Sequence, residues 1–249
     1  MLYLSILKTL NKKKQLALLI DPDKHNENSL KLAVDTANQT GIDFILIGGS
    51  LISCSIDKTV EIAKKNSSIP VILFPGSLLQ ISDKADGILF LSIISGRNPE
   101  FLIGNHVIAS PLIKKSNLEV IPTGYILIES GRSTSVEYMS NTKPIPPDKF
   151  DIAIATALAG EMLGHKLIYL EAGSGAHQHV NTKMISEVKK NINIPLIVGG
   201  GIKTNEDTKD IYKAGADIIV VGNSIENDLS QLNSMTSIAK EFKIQNKKY

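Results

Sequence analysis

What this chain has little of narrows its function before any motif is considered. Cys54 is its one cysteine, so there is no internal disulfide and no companion thiol for a zinc site; the simplest setting is a reducing cytoplasm. A catalytic thiol is the minor alternative. There is no tryptophan, aromatic residues make up 5%, and the formal net charge is only +2. A nucleic-acid binder needs a basic face and stacking platforms, and neither is present. No apolar run reaches the roughly 18 residues of a membrane span. The amphipathic start, Met1 to Leu10, runs into Lys12, Lys13 and Lys14. Those lysines read as a solvated helix end, with weak attraction to anionic lipid as the second reading.

What is abundant is apolar, β-branched and arranged in short runs. With 43% hydrophobic residues in 249, the chain can bury one large core, and we expect a single domain over 1–249. Eight runs lack polar alternation: Leu16 to Ile20, Phe44 to Ile47, Val71 to Phe74, Gly87 to Leu91, Gly124 to Ile128, Leu167 to Leu170, Pro195 to Val198 and Ile218 to Val221. That is the pattern of parallel strands covered on both faces. Helix-like stretches separate most of them, among them Asn28 to Gln39, Thr182 to Asn191 and Asn205 to Ala214. A doubly wound sheet also alternates, but it usually carries its glycine fingerprint after the first strand. Here the first strand ends in Asp21-Pro22-Asp23-Lys24, so the reading is an α/β fold of the closed (β/α)8, TIM-like type.

Two segments depart from a regular barrel. Gly76 to Asp86 barely accommodates a crossover helix, which predicts an abbreviated or replaced third helix and a side groove. Glu129 to Lys166 holds Ser130-Gly131-Arg132-Ser133-Thr134-Ser135 and Pro144-Ile145-Pro146-Pro147, which reads as a lid or an oligomer contact.

The chemistry gathers at strand ends. Val198-Gly199-Gly200-Gly201-Ile202 and Val220-Val221-Gly222-Asn223 follow the seventh and eighth strands, where barrels commonly hold a phosphate on backbone N–H groups. Asp21 is a candidate ligand for a hard cation such as Mg²⁺, which takes one or two carboxylates plus phosphate oxygens; an Asp-Pro turn and helix cap is the other reading. Gly48-Gly49-Ser50 could complete that site or be turn chemistry alone. In Tyr169-Leu170-Glu171-Ala172-Gly173-Ser174-Gly175 the glutamate can take a proton from a polyol, or stand as a structural acid in a glycine turn. His177 and His179 lack a third ligand and read as a solvated loop.

Taken in order, Leu-Ile-Asp-Pro-Asp-Lys, Ile-Gly-Gly-Ser, Tyr-Leu-Glu-Ala-Gly-Ser-Gly, Val-Gly-Gly-Gly-Ile-Lys and Val-Val-Gly-Asn resemble the geranylgeranylglyceryl phosphate synthases, with their bacterial heptaprenylglyceryl relatives. The likeness runs from Leu16 to Asn223, and the first three strings carry it. It implies that Asp21 and Ser50 ligate Mg²⁺ against a polyprenyl diphosphate. It implies that Tyr169, Leu170, Glu171, Ala172, Gly173, Ser174 and Gly175 cradle sn-glycerol 1-phosphate, while Gly200, Gly201, Gly222 and Asn223 take its phosphate. One group in that family has Lys two positions before the first Asp; this chain has Leu19 there, which leaves Lys24 or Lys203 to meet the charge.

The resemblance implies a prenyl transfer in which the metal neutralises the leaving diphosphate and Glu171, with Asp21, carries the catalysis. Geranylgeranyl is the family's commonest donor, homo-oligomers are its habit, and transient membrane contact fits an apolar donor. The tail trough is expected along Ile88 to Ile94 with Tyr125, most of which also reads as plain barrel core. Two other classes remain open from sequence: a phosphate-barrel isomerase or lyase, and a non-catalytic phosphometabolite binder.

Overall fold

The computed structural model describes residues 1–222 and 230–242. Eight parallel strands close into a barrel in sequence order: β1 Gln15–Ile20, β2 Phe44–Ile47, β3 Val71–Leu73, β4 Gly87–Ile93, β5 Glu119–Leu127, β6 Leu167–Glu171, β7 Leu196–Gly199 and β8 Ile218–Val221. Pairing of Ala17 with both Phe44 and Val220 seals the ring at β1. All eight expected runs are strands. β5 begins five residues ahead of the expected Gly124, because Glu119 to Thr123 pair in register with Gly87 to Leu91 despite a polar start and Pro122.

Alternation along each strand divides the core in two. Ala17, Phe44, Leu46, Ile72, Leu89, Tyr125, Tyr169, Ile197 and Val220 pack inside the barrel. Leu16, Leu18, Ile45, Ile168, Leu170 and Val198 face the surrounding helices. Both faces of every strand are therefore apolar, which is why the runs show no polar alternation.

The outer helices are α1 Leu2–Leu10, α2 Glu27–Thr40, α3 Ile56–Asn66, α4 Asn105–Lys115, α5 Ser135–Ser140, α6 Phe150–Met162, α7 Thr182–Asn191, α8 Asn205–Ala214 and α9 Ser230–Glu241. Their starts are written locally. Asn26 accepts from Ser29 N–H, Asn181 from Lys183 N–H, and Thr204 with Asp207 forms a capping box. Between β3 and β4 there is no helix, as the short connection predicts.

α1 plugs the lower end of the barrel with Ile6 and Leu10, and the backbone N–H groups of Leu2 and Tyr3 donate to the Glu119 carboxylate. Lys13 and Lys14 correct the expectation of a solvated lysine cluster. Lys13 pairs with Asp43 at 2.6 Å, and Lys14 with the buried Asp217 at 3.0 Å, where Lys189 also converges. Asp217 further accepts from Leu196 N–H, so it ties β7 and β8 to the chain entering β1. Among the described residues no helix is long and apolar enough to cross a membrane.

Candidate active site

At the C-terminal ends of the strands lies a cavity of about 870 Å³. Its mouth is polar, with Asp21, Ser50, Glu171, Ser174, Gly200 and Lys203; its depth is apolar. Such a shape suits an amphiphile better than a small polar metabolite.

Glu171 ends β6 with its side chain turned inward, buried to 6% exposure. Its Oε1 accepts from Gly173 N–H at 2.6 Å, and burial pushes its carboxyl up to about 7 against that stabilising bond. Beside it stands the buried hydroxyl of Tyr169, close enough to the carboxylate to oppose that rise. Tyr169, Phe74 and Tyr125 form a floor of rings with centroid separations of 5.4 to 6.2 Å.

Gly200 sits directly over Glu171 with φ +82°, in the left-handed region where only glycine rests easily. Gly173, Ser174, Gly175, Gly201 and Gly222 line the same mouth. Leu170 points the other way, into the helix layer, and Ala172 is buried with its N–H given to Gly199 O. Those two belong to the heptapeptide but contribute no side chain to the cavity. Asn223 lies outside the described residues.

Across the mouth, Asp21 does two things. It caps the short turn Pro22–Lys24 by accepting from Asp23 N–H at 3.2 Å, and it faces the cavity, half-buried, its carboxyl raised by that burial. The cap reading therefore holds, and the same side chain stands where a ligand role would need it. Gly49 lies so close that a Cβ there would stand 3.3 Å from the Asp21 carboxylate, and Ser50 follows at the rim. One carboxylate and one hydroxyl are too few for an all-protein cage, and no cluster of three or more acidic, His or Cys ligands occurs among the described residues. Together with phosphate oxygens they suit a cation that keeps most of its shell from water and substrate. Lys24 Nζ lies 3.9 Å from Asp21, and Lys203 Nζ donates to His177 O at 3.0 Å; both line the mouth.

Asp23 is not part of that site. The Cys54 thiol first, then Ser53 N–H, Cys54 N–H and the Ser53 hydroxyl donate to its carboxylate and hold it down at about 2. Loss of hydration and the adjoining Asp23 push the Cys54 thiol up to about 11, which removes the thiolate a nucleophile needs. His179 Nδ1–H donates to Val180 O at 2.8 Å and Nε2 approaches Asp207, which fixes His179 within its loop, while His177 of the same loop borders the mouth.

Several cavity residues were not singled out from sequence. Phe101, His106, Ala109 and Ile113 of α4 and its lead-in, and Leu78 and Ile81 of the helix-free β3–β4 segment, wall the deep end beside Ile88, Phe90 and Leu91. The groove thus leaves the barrel mouth and runs between β4 and α4. Ser92 turns out to bond His106, at 3.2 Å, and the tip of Ile94 lies 2.8 Å from the Cβ positions of Gly124 and Gly160. Within the segment 129–147, Ile145 pairs with Ile128, and Arg132, Ser135 and Val136 look into the mouth.

A closed barrel with a glycine-lined mouth, a buried carboxylate of raised pKa and a long apolar groove has the make-up that an enzyme of phosphorylated amphiphiles requires. The chain belongs to the PcrB family, whose model matches residues 8–241. It is 50% identical over 234 residues to a geranylgeranylglyceryl phosphate synthase of Spirosoma linguale, covering 94% of each chain, and 46% identical to that of Pyrococcus furiosus over 88% of this chain and 87% of that one. The synthase of Thermoplasma acidophilum, solved with its substrate sn-glycerol 1-phosphate, is 34% identical with a TM-score of 0.91, covering 96% of this chain and 98% of that one. A thiamine phosphate pyrophosphorylase of Pyrococcus furiosus, 13% identical with a TM-score of 0.59 over 93% and 98% of the two chains, shares the fold alone.

Proposed function

We propose that this enzyme joins a polyprenyl diphosphate, geranylgeranyl diphosphate first among them, to the terminal hydroxyl of sn-glycerol 1-phosphate. The products are a prenylglyceryl phosphate ether and diphosphate. The observation that carries the reading is Glu171: a buried carboxyl near 7, beneath a glycine cradle, between an anion cup and an apolar groove.

Gly200, Gly201 and Gly222 hold the acceptor phosphate on backbone, and Tyr169 with Glu171 receives the glycerol hydroxyls. The glycerol oxygen forms its bond to the allylic C1 as the C1–O bond to diphosphate breaks, and its proton passes to Glu171. The ring floor of Phe74, Tyr125 and Tyr169 excludes water from the carbon that gains positive character and presents π faces to it. Asp21 and Ser50 would hold Mg²⁺ at the departing diphosphate, where the ion supplies charge neutralisation.

The reading is tested by incubating the protein with radiolabelled sn-glycerol 1-phosphate and a ladder of prenyl diphosphates, with Mg²⁺ or EDTA, and extracting into organic solvent. Label extracted only with Mg²⁺, and abolished by Asp21→Ala, is the expected result. No extraction with any donor overturns it.

A further inference from the structure

β2 ends at Ile47, and Gly48-Gly49-Ser50 continue past the last strand pairing into the mouth. No strand neighbour serves Gly49 there. Its two backbone groups are taken instead by one side chain. Gln80, 1% exposed, donates from Nε2 to Gly49 O at 2.7 Å and accepts at Oε1 from Gly49 N–H at 3.2 Å and from Gly76 N–H at 3.0 Å. A neutral amide side chain can do this at any pH, since it offers a donor and an acceptor about as far apart as those of a peptide unit.

The two loops it joins are already in backbone contact. A Cβ on Gly76 would lie 2.2 Å from Gly49 O, and one on Gly48 would lie 1.9 Å from Phe74 O. On its other side a Cβ on Gly49 would lie 3.3 Å from the Asp21 carboxylate, so only a glycine-sized gap separates them. Gln80 comes from the segment that replaces the missing helix, with Leu78 and Ile81 of the same segment in the groove.

From this arrangement we infer that Gln80 is a positioning residue for the donor end of the site: it holds Gly49 and Ser50 against Asp21, and so sets affinity for the cation and diphosphate while touching neither. The inference rests on the functional reading above. It assigns a division of labour, because the acceptor cradle at Gly173 to Gly175 and Gly200 shares no bond with Gln80.

The test uses Gln80→Glu, which keeps the acceptor oxygen but sets a second carboxylate oxygen against Gly49 O, and Gln80→Leu, which removes all three bonds. Mn²⁺ binding in the presence of inorganic diphosphate is followed by electron paramagnetic resonance; KM is measured for geranylgeranyl diphosphate and for sn-glycerol 1-phosphate. We expect Mn²⁺ affinity to fall by about 10-fold or more, as when the supporting partners of metal ligands are removed. Donor KM should rise by a similar factor, with acceptor KM within about two-fold. Equal rises in both KM values, or unchanged Mn²⁺ affinity in a folded variant, overturn the inference. If Gln80→Leu does not fold, Gln80→Glu decides alone. Wild-type protein that binds Mn²⁺ with diphosphate yet transfers no prenyl group overturns the functional reading instead, and the Mn²⁺ measurement still decides the role of Gln80.

Discussion

The carboxylate of Glu171 and the backbone of Gly200 meet across neighbouring strand ends so closely that a Cβ on Gly200 would stand 2.2 Å from Glu171 Oε1. The same Cβ would lie 2.7 Å from Gly173 N and 2.9 Å from Ala172 N, so the backbone still blocks it even if the carboxylate moves aside. Gly200→Ala should therefore cost about 2 kcal/mol or more in denaturant unfolding and displace the carboxylate. Turnover should drop by at least about 10-fold, with weaker sn-glycerol 1-phosphate binding by calorimetry.

Glu171→Gln separates charge from shape. The base form of Glu171 prevails only above about 7 in the free protein, so wild-type kcat/KM should climb as pH rises through that value, and the variant should lose this limb and about 10²-fold or more of turnover. Stability moves the opposite way. A carboxyl raised from 4.5 to about 7 costs nothing below 4.5, and the cost grows as pH rises to 7. Relative to the variant, wild type should lose on the order of 3 kcal/mol over that interval, measured by urea titration at pH 4.5 and pH 8.

Asp217→Ala should be among the most destabilising changes far from the mouth. Burial raises the Asp217 carboxyl, but Lys14 and Lys189 outweigh it and hold the group below its usual range. Removing it leaves Lys189, 7% exposed, and Lys14 without their counter-charge, at a cost of about 3–5 kcal/mol. Because the native carboxyl is depressed, the wild-type contribution is present above the ordinary Asp range and fades as acid titrates the folded form. Thermal melts of both proteins from pH 7 downward check this.

Cys54 is exposed yet should alkylate slowly near neutrality, with a rate still rising beyond pH 10. Asp23→Asn removes the adjoining carboxylate and should speed iodoacetamide labelling at pH 8. An alkylation midpoint near the ordinary thiol value in wild type would contradict the assigned environment.

How far the sequence could be read depended on how local each feature is. β-branched runs, helix-like stretches such as Asn205 to Ala214 and the glycine strings are short-range signals, and they located the strands, several helices and most of the mouth. The short Gly76 to Asp86 connection announced the absent helix by length alone. Gln80 and Phe74 were not legible, because their roles depend on loops brought together by barrel closure. Lys14 and Lys189 were hidden for the same reason: their shared partner, Asp217, is far along the chain from both. Leu170 was drawn into the site by membership of a motif, although strand alternation turns it outward. The wall formed by His106 and Ile113 emerged only once α4 was seen to border the groove.

The missing helix gives the outer ring a seam. A closed tunnel must be threaded end first, so the difficulty of loading it grows with the length of the thread; a seam can receive a long chain broadside, all along its length at once. Entry along that seam would be like the opening of a zip fastener, and would ask no movement of the plugged floor beneath the barrel.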